Sequence, residues 1–368
     1  MRPNLGSARF DRRRFLQGAA AVGLAPLAAR YLAACGDPGD KRLAFLNWQD
    51  YIDPTILDDF TKRTGITVSY STYASNDELE DRLTLAGVAR KGGRKATTVD
   101  LVVPSDNLFR RLHDDDRLQE LDRDVVTAAL LGNLRADLVA AEPDPGNRYS
   151  VPWATGTTGI GYDTTVFDEP PTWDVFLDQA HAGKTTLLDE RREAFAAALF
   201  SLGEDPNATS AATIDAAADR LAEMAKVIDA FDSATYLDRF RAGELVAVQG
   251  YNTDILQARA DNPDLAFTIP EAGGTRWTDL LCIPKEAPNP EAANRFVAFY
   301  LDPEVSARNA EANQVDTGNE AALDEVDEAL RDDPAVYPPD DVDRRLVVLQ
   351  DLGATEDRYR DAWKSIKG

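Results

Sequence analysis

The sequence predicts an α/β protein built in two lobes. Two observations carry this expectation. Strand-like and helix-like segments alternate along the 368-residue chain, with no internal repeat and no Pro- or Gly-rich linker, a pattern that layers helices on a sheet and binds ligands where strands end. About 330 residues follow the N-terminal segment, too many for a single core.

In chain order, Leu43–Leu46 is a short apolar run bounded like a buried strand. Asp53-Pro54 opens a helix with apolar positions Ile56, Leu57 and Phe60, and Gly65 stops it. The run 66–73, ITVSYSTY, alternates with period two and sets Ile66, Val68 and Tyr70 on one face. Ser75 and Glu78 have capping-box spacing ahead of a further helix. VDLVVPS (99–105) is a buried strand ending at Pro104 and Ser105, and later strands are expected at TTGIGYD (157–163), KTTLL (184–188), LVAVQGY (245–251) and LAFTIP (265–270). Helices are expected at 192–202, 217–231 and 290–301.

The N-terminus determines the destination. Arg12-Arg13-Arg14-Phe15-Leu16 resembles the twin-arginine export signature, with Asp11 and Gln17 departing from its usual flanks. The apolar segment 18–29 is interrupted by Pro26 and followed by Arg30, short of the roughly 20 apolar residues of a spanning helix, so residues 1–34 read as an export signal. Leu32-Ala33-Ala34-Cys35-Gly36 resembles a bacterial lipobox, whose cysteine is acylated. The expectation is an exported protein, lipid-anchored through Cys35 on the outer face of the cytoplasmic membrane, by either the twin-arginine or the general export route.

Charge and cysteine content narrow the function. The chain holds 40 Lys+Arg against 64 Asp+Glu; without the six Arg and one Asp that precede Cys35, the balance is 34 against 63, a net of −29. Such a field repels nucleic acid and favours small cations, although acidity also serves solubility. With Cys35 acylated, only Cys282 remains, so no internal disulfide forms, and Cys282 within LLCIP reads as a small buried hydrophobe. His113 and His181 lack ligand spacing, and no metal or cofactor is expected. The chain carries no P-loop, no G-x-G-x-x-G after a strand, no H-E-x-x-H and no G-x-S-x-G; GTTGIG (156–161) sits in a strand pattern. No catalytic residue is assigned, and a carboxylate-based glycosidase is the residual enzyme reading. At the end of the first strand, Trp48, Gln49, Asp50 and Tyr51 suit either a capping turn or one wall of an organic-cation site.

The chain resembles the substrate-binding proteins of polyamine ABC importers, the spermidine- and putrescine-binding family. The likeness lies in FLNWQDYIDP, STYASNDEL, DLVVPSDN, YSVPWATGTTGIGYD, LFSLGEDPNATSA, GTRWTDLLCIP and YPPDDV, in that order and spacing. It implies a periplasmic-binding-protein type II fold, with the ligand cleft between two α/β lobes joined by crossing strands. The first lobe would take 41–155 plus 276–318, and the second 156–275 plus 319–368. The partners implied are a polyamine, permease subunits and, through Cys35, a membrane; a monomer is expected.

The resemblance also implies a set of ligand-binding residues. Trp48, Asp50 and Tyr51 match the family's N-W-x-[DE]-Y motif, and Ser105 matches the serine of V-V-P-S. Glu193 stands where the family has an ammonium-binding glutamate, and Glu190 matches an aspartate of spermidine binders. Tyr251 replaces a tryptophan, Asp254 matches an acid of putrescine binders, and Trp277 with Asp279 matches an aromatic-x-Asp pair. Asn107, Val315 and Gln350 depart from the pattern, leaving the box less aromatic and mixed in subtype. Polyamine chemistry suits such a box: carboxylates at intervals meet ammonium groups through charge-assisted hydrogen bonds, and flat rings cover the methylenes between them. Other solutes on the same fold (a sugar, a thiamine-like cation, an amino acid) and a sensing role remain open.

Overall fold

Ten strands form one mixed sheet in the computed structural model, which describes residues 41–49, 51–91, 99–141 and 143–368. The export segment, Cys35 and Asp50 lie outside the described residues. The strands are β1 (Arg42–Trp48), β2 (Thr67–Tyr73), β3 (Leu101–Val102), β4 (Ser150–Asp163), β5 (Thr185–Leu187), β6 (Ala230–Phe231), β7 (Ala247–Tyr251), β8 (Leu265–Thr268), β9 (Gly274–Cys282) and β10 (Leu346–Val348). Their order is β2-β1-β3-β9-β4-β7-β5-β6, with β8 beside β4 and β10 beside β9. β1 runs parallel to β2 and β3, and β5 runs parallel to β6 and β7. The long strands β4 and β9 pair antiparallel to each other and join these two parallel groups.

Residues 41–368 form one compact unit, within which the apolar side chains divide. Leu43, Phe45, Phe60, Trp153, Phe296 and Tyr300 belong to one cluster. Ile160, Phe176, Phe195, Leu199, Leu221 and Tyr359 belong to another. β4 feeds both: Val151 and Trp153 enter the first cluster, Ile160 and Tyr162 the second. A smaller cluster joins Leu256 to Ala307, Ala310, Ala322, Val326 and Leu330. This two-core α/β architecture with crossing strands is the type II binding-protein fold expected from the sequence.

The local signals act as their chemistry requires. Helix α1 (Pro54–Thr64) is capped by Asp53, whose carboxylate accepts from the Thr55 amide at 2.9 Å, and it ends at Gly65 in the left-handed region, φ 72°. Helix α2 (Asn76–Lys91) begins at the expected box, with a variation. Ser75 Oγ accepts from the Glu78 amide at 3.1 Å, while the Glu78 carboxylate reaches back to the Ala74 amide at 2.9 Å. Helix α3 (Asp106–Asp114) follows β3; helix α4 (Arg191–Leu202) follows β5 and is buried along most of its length.

Three expectations change. Helix α5 spans Ala211–Met224, earlier than the expected 217–231, because Ala230 and Phe231 are taken by the edge of β5 as the parallel strand β6. β4 begins at Ser150, seven residues ahead of the expected run, since pairing with β9 extends it. The VDLVVPS strand shortens to Leu101–Val102. The glycine-rich segment 156–161 lies within β4, a strand as expected. Cys282 is fully buried beside Leu46 and Val102, and burial raises its thiol pKa well above the ordinary value.

Candidate functional site

The candidate residues lie where parallel strands end and on the crossing strand, the usual ligand-bearing position of an open α/β sheet. Trp48 closes β1 and Tyr51 follows it; Ser105 precedes α3 just beyond β3. Glu190 and Glu193 stand at the start of α4 after β5. Tyr251 ends β7, and Asp254 lies in the first turn of helix α6 (Asn252–Asp261). Trp277 and Asp279 belong to β9.

The alternation of β9 organises this set. Thr275, Trp277 and Asp279 are two residues apart and share one face. At one end the Thr275 hydroxyl donates to Glu193, 3.0 and 2.9 Å from its two carboxylate oxygens. At the other, Ser105 Oγ donates to Asp279 Oδ1 at 2.8 Å, and Ser105 and Asp279 also form a backbone bridge. Between these acids the Trp277 ring meets Tyr251 edge to face, centroids 5.9 Å apart at 89°. Trp48 packs on Tyr73 at 4.6 Å. Tyr236 Oη donates to Asp254 Oδ2 at 2.6 Å.

Burial dominates the electrostatics. Asp279 and Glu193 are 5% and 6% exposed, and both carboxyls are pushed up to about 7, chiefly by desolvation. The Ser105 and Thr275 hydroxyls oppose that shift by bonding the charged forms. Glu190, half-buried, is also pushed up to about 7 by desolvation and then by Asp77. The Tyr251 hydroxyl is raised well above its ordinary value by burial and then by the charges of Glu193, Glu190, Asp254 and Asp279, in that order. One hydroxyl therefore senses four of the carboxylates singled out in the sequence. The Tyr51 hydroxyl is buried beside Asp279, whose charge adds to the effect of burial in raising it. It lies close to that carboxylate without meeting the geometry of a hydrogen bond.

Asp50 lies outside the described residues. Of the departures, Val315 is buried in the first core, and Asn107 has its Oδ1 buried without a hydrogen-bond partner. Gln350 is exposed, with its amide bonded to Asn207 Oδ1 and its carbonyl to Arg192 Nη1. Two residues of the site escaped the sequence reading. Asp106, directly after Ser105, accepts from its neighbour's amide at 2.7 Å and from the Thr278 amide at 3.3 Å. Its carboxyl is pushed up to about 7, mainly by desolvation, with a contribution from Asp279. Gly156, opposite Trp277 on β4, gives the ring its room: a Cβ there would stand 2.3 Å from the Trp277 Cζ2 and 2.6 Å from the Asn252 Oδ1. A glycine inside a strand pattern was the available signal for such a close approach.

Two α/β cores joined by crossing strands, with carboxylates and rings gathered at the strand ends, define a protein that clamps a small solute. The model of the bacterial extracellular solute-binding proteins matches residues 55–338, and the chain belongs to that family. It is 33% identical, over 89% of its length and 92% of the relative's, to the putrescine-binding periplasmic protein SpuD of Pseudomonas aeruginosa. It is 30% identical, over 98% of its length and 99% of the relative's, to the spermidine/putrescine-binding periplasmic protein of Escherichia coli. Among solved structures, the TpPotD lipoprotein of Treponema pallidum superposes with a TM-score of 0.76 at 25% identity, covering 88% of this chain and 99% of that one. These relatives are binding proteins.

Gly156→Ala tests the packing of the site. The added methyl forces Trp277 from its place, so the thermal midpoint should fall by an amount equivalent to about 1–3 kcal/mol, the usual cost of overpacking. Trp277 fluorescence should shift at the same time. An unchanged midpoint and spectrum would show that the ring has slack.

Proposed function

We propose that this protein binds a polyamine, putrescine or spermidine, outside the cytoplasm and delivers it to an ABC permease, with no catalytic step of its own. The observation that carries this reading is the row on β9 in which Glu193 at Thr275 and Asp279 at Ser105 flank Trp277, set edge-on against Tyr251, whose hydroxyl is raised by the charges of Glu193, Glu190, Asp254 and Asp279. A string of ammonium groups joined by methylenes fits acids separated by rings, whereas a sugar has no charge to offer such acids. The polyamine names of the relatives support the same ligand class. Trp48, Tyr51 and Ser105 complete one wall, with Asp50 assigned beside them from the sequence. The lobes are taken as 41–155 plus 276–318 and 156–275 plus 319–368, working as a monomer.

The subtype reading rests on Glu190 for a triamine and Asp254 for a diamine. Calorimetric titration of the chain from Gly36 onward with putrescine, cadaverine, spermidine and spermine tests the assignment. At least one should bind, and Asp279→Asn should weaken it by about 3–5 kcal/mol, the cost of removing one partner from a desolvated charge pair. Absence of binding by all four ligands would overturn the assignment, and unchanged affinity in Asp279→Asn would remove that residue from the site.

Anchoring through Cys35 is part of the same reading. The lipobox of residues 32–36 supports it, and among the described residues no helix is long and apolar enough to cross a membrane. Cys35→Ala should move the protein from the detergent phase to the aqueous phase, because acyl chains supply the membrane affinity. Retention in the detergent phase would contradict acylation. Arg12→Lys with Arg13→Lys should block export if the twin-arginine route is used.

A further inference from the structure

Asp106, the first residue of α3, reaches the edge of the crossing strand β9. Along its β4 side, β9 is paired from Thr275 to Cys282. Along the other side it pairs with β10 at Gly274–Arg276, bridges to Ser105 at Asp279, and meets β3 at Cys282. Among the described residues this leaves Trp277 and Thr278 without a strand neighbour on that side, and there Asp106 Oδ2 accepts the Thr278 amide at 3.3 Å. The carboxylate therefore lies within the interval bounded by Asp279 at one end and the Glu193-bearing Thr275 at the other. Nearby, the buried Tyr51 hydroxyl stands beside the Asp279 carboxylate.

A diamine carries charge only at its ends, and a triamine carries a third charge between them. We propose that Asp106 is a specificity-determining residue that pairs with the internal ammonium of a triamine and so favours triamines over diamines. The inference rests on the polyamine reading above and adds a residue to it. A diamine lays methylenes against this carboxylate, and an ionised group left desolvated without a partner is costly. The acid must then hold its proton, and a group pushed up to about 7 can do so near neutrality. The charged groups that face it are Asp279 on β9, Glu193 on α4 and, on its own helix, Arg110.

The test compares spermidine with 1,8-diaminooctane, which replaces the internal amine by a methylene at the same chain length, and with putrescine. In the wild-type protein spermidine should bind about tenfold or more tighter than 1,8-diaminooctane, as expected for one charge-assisted hydrogen bond. In Asp106→Asn and Asp106→Ser, both of which keep an acceptor for the Thr278 amide, that preference should collapse while putrescine is held equally well or better. Thermal midpoints measured without ligand report whether each variant is folded. A preference that survives in the folded variants would overturn the proposal, as would its absence from the wild type or an equal loss for all three ligands. Failure of the wild type to bind any of them would overturn the polyamine reading itself, and the proposal with it.

Discussion

The arrangement of the site depends on the pleat of β9. Because alternate residues of a strand face the same way, Thr275, Trp277 and Asp279 form a row of hydroxyl, ring and carboxylate along a strand that joins the two cores. Ser105, from the end of β3, fixes one end of that row, and Glu193, from the start of α4, fixes the other. A one-residue slip in the β4–β9 register would turn all three side chains to the opposite face and separate both pairs. On β4, Gly156 faces Trp277 and leaves room for its ring, where no larger side chain fits.

Two buried acids outside the site, Glu356 and Asp316, differ from those in it by having cationic partners. Glu356 is paired with Arg192, which also donates to the carbonyls of Gln350 and Pro206 and lies over the Tyr359 ring. Asp316 is paired with Arg135. Those carboxylates are neutralised within the fold. Asp279 and Glu193 are held instead by the hydroxyls of Ser105 and Thr275, which orient an acid without cancelling its charge. Burial then lifts the carboxyls, because their charged forms lack a compensating cation. In the proposed function a cationic ligand supplies it, which couples binding to the ionisation of these carboxyls.

Much of this was legible in the sequence, and the limits have physical causes. Strong local signals held: the Asp53 cap and Gly65 stop of α1, and the period-two face of β2. Boundaries failed where a distant partner decides them. Ala230 and Phe231 read as the end of a helix until the edge of β5 captures them, and β4 lengthens because β9 lies beside it. In the site, residues with distinctive chemistry in quoted motifs, such as Trp277, Asp279 and Glu193, could be singled out. Asp106 could not, since next to Ser105 at a helix start an aspartate reads as an ordinary cap, and only the Thr278 amide reveals where its carboxylate goes. Gly156 resembled part of a glycine-rich strand until the opposing ring was in place. The resemblance supplied what spacing alone did not, namely that acids as far apart in sequence as Glu190 and Asp279 belong to one candidate site.

The central claim is that uncompensated carboxyls with pKa values near 7 receive the ligand's charge. Its most direct test is putrescine affinity measured by calorimetry between pH 5.5 and 8, where both terminal amines stay protonated. Asp106, Glu190, Glu193 and Asp279 are each pushed up to about 7. A carboxyl raised in this way contributes stability to the unliganded fold below its ordinary pKa, and that contribution is lost as pH rises through about 7. Binding runs in the opposite sense, because the ligand selects the ionised forms. The account predicts that affinity rises with pH through about 7 and levels off above it, with protons released on binding near neutrality. Affinity that is flat across this range, with no proton release, would contradict it.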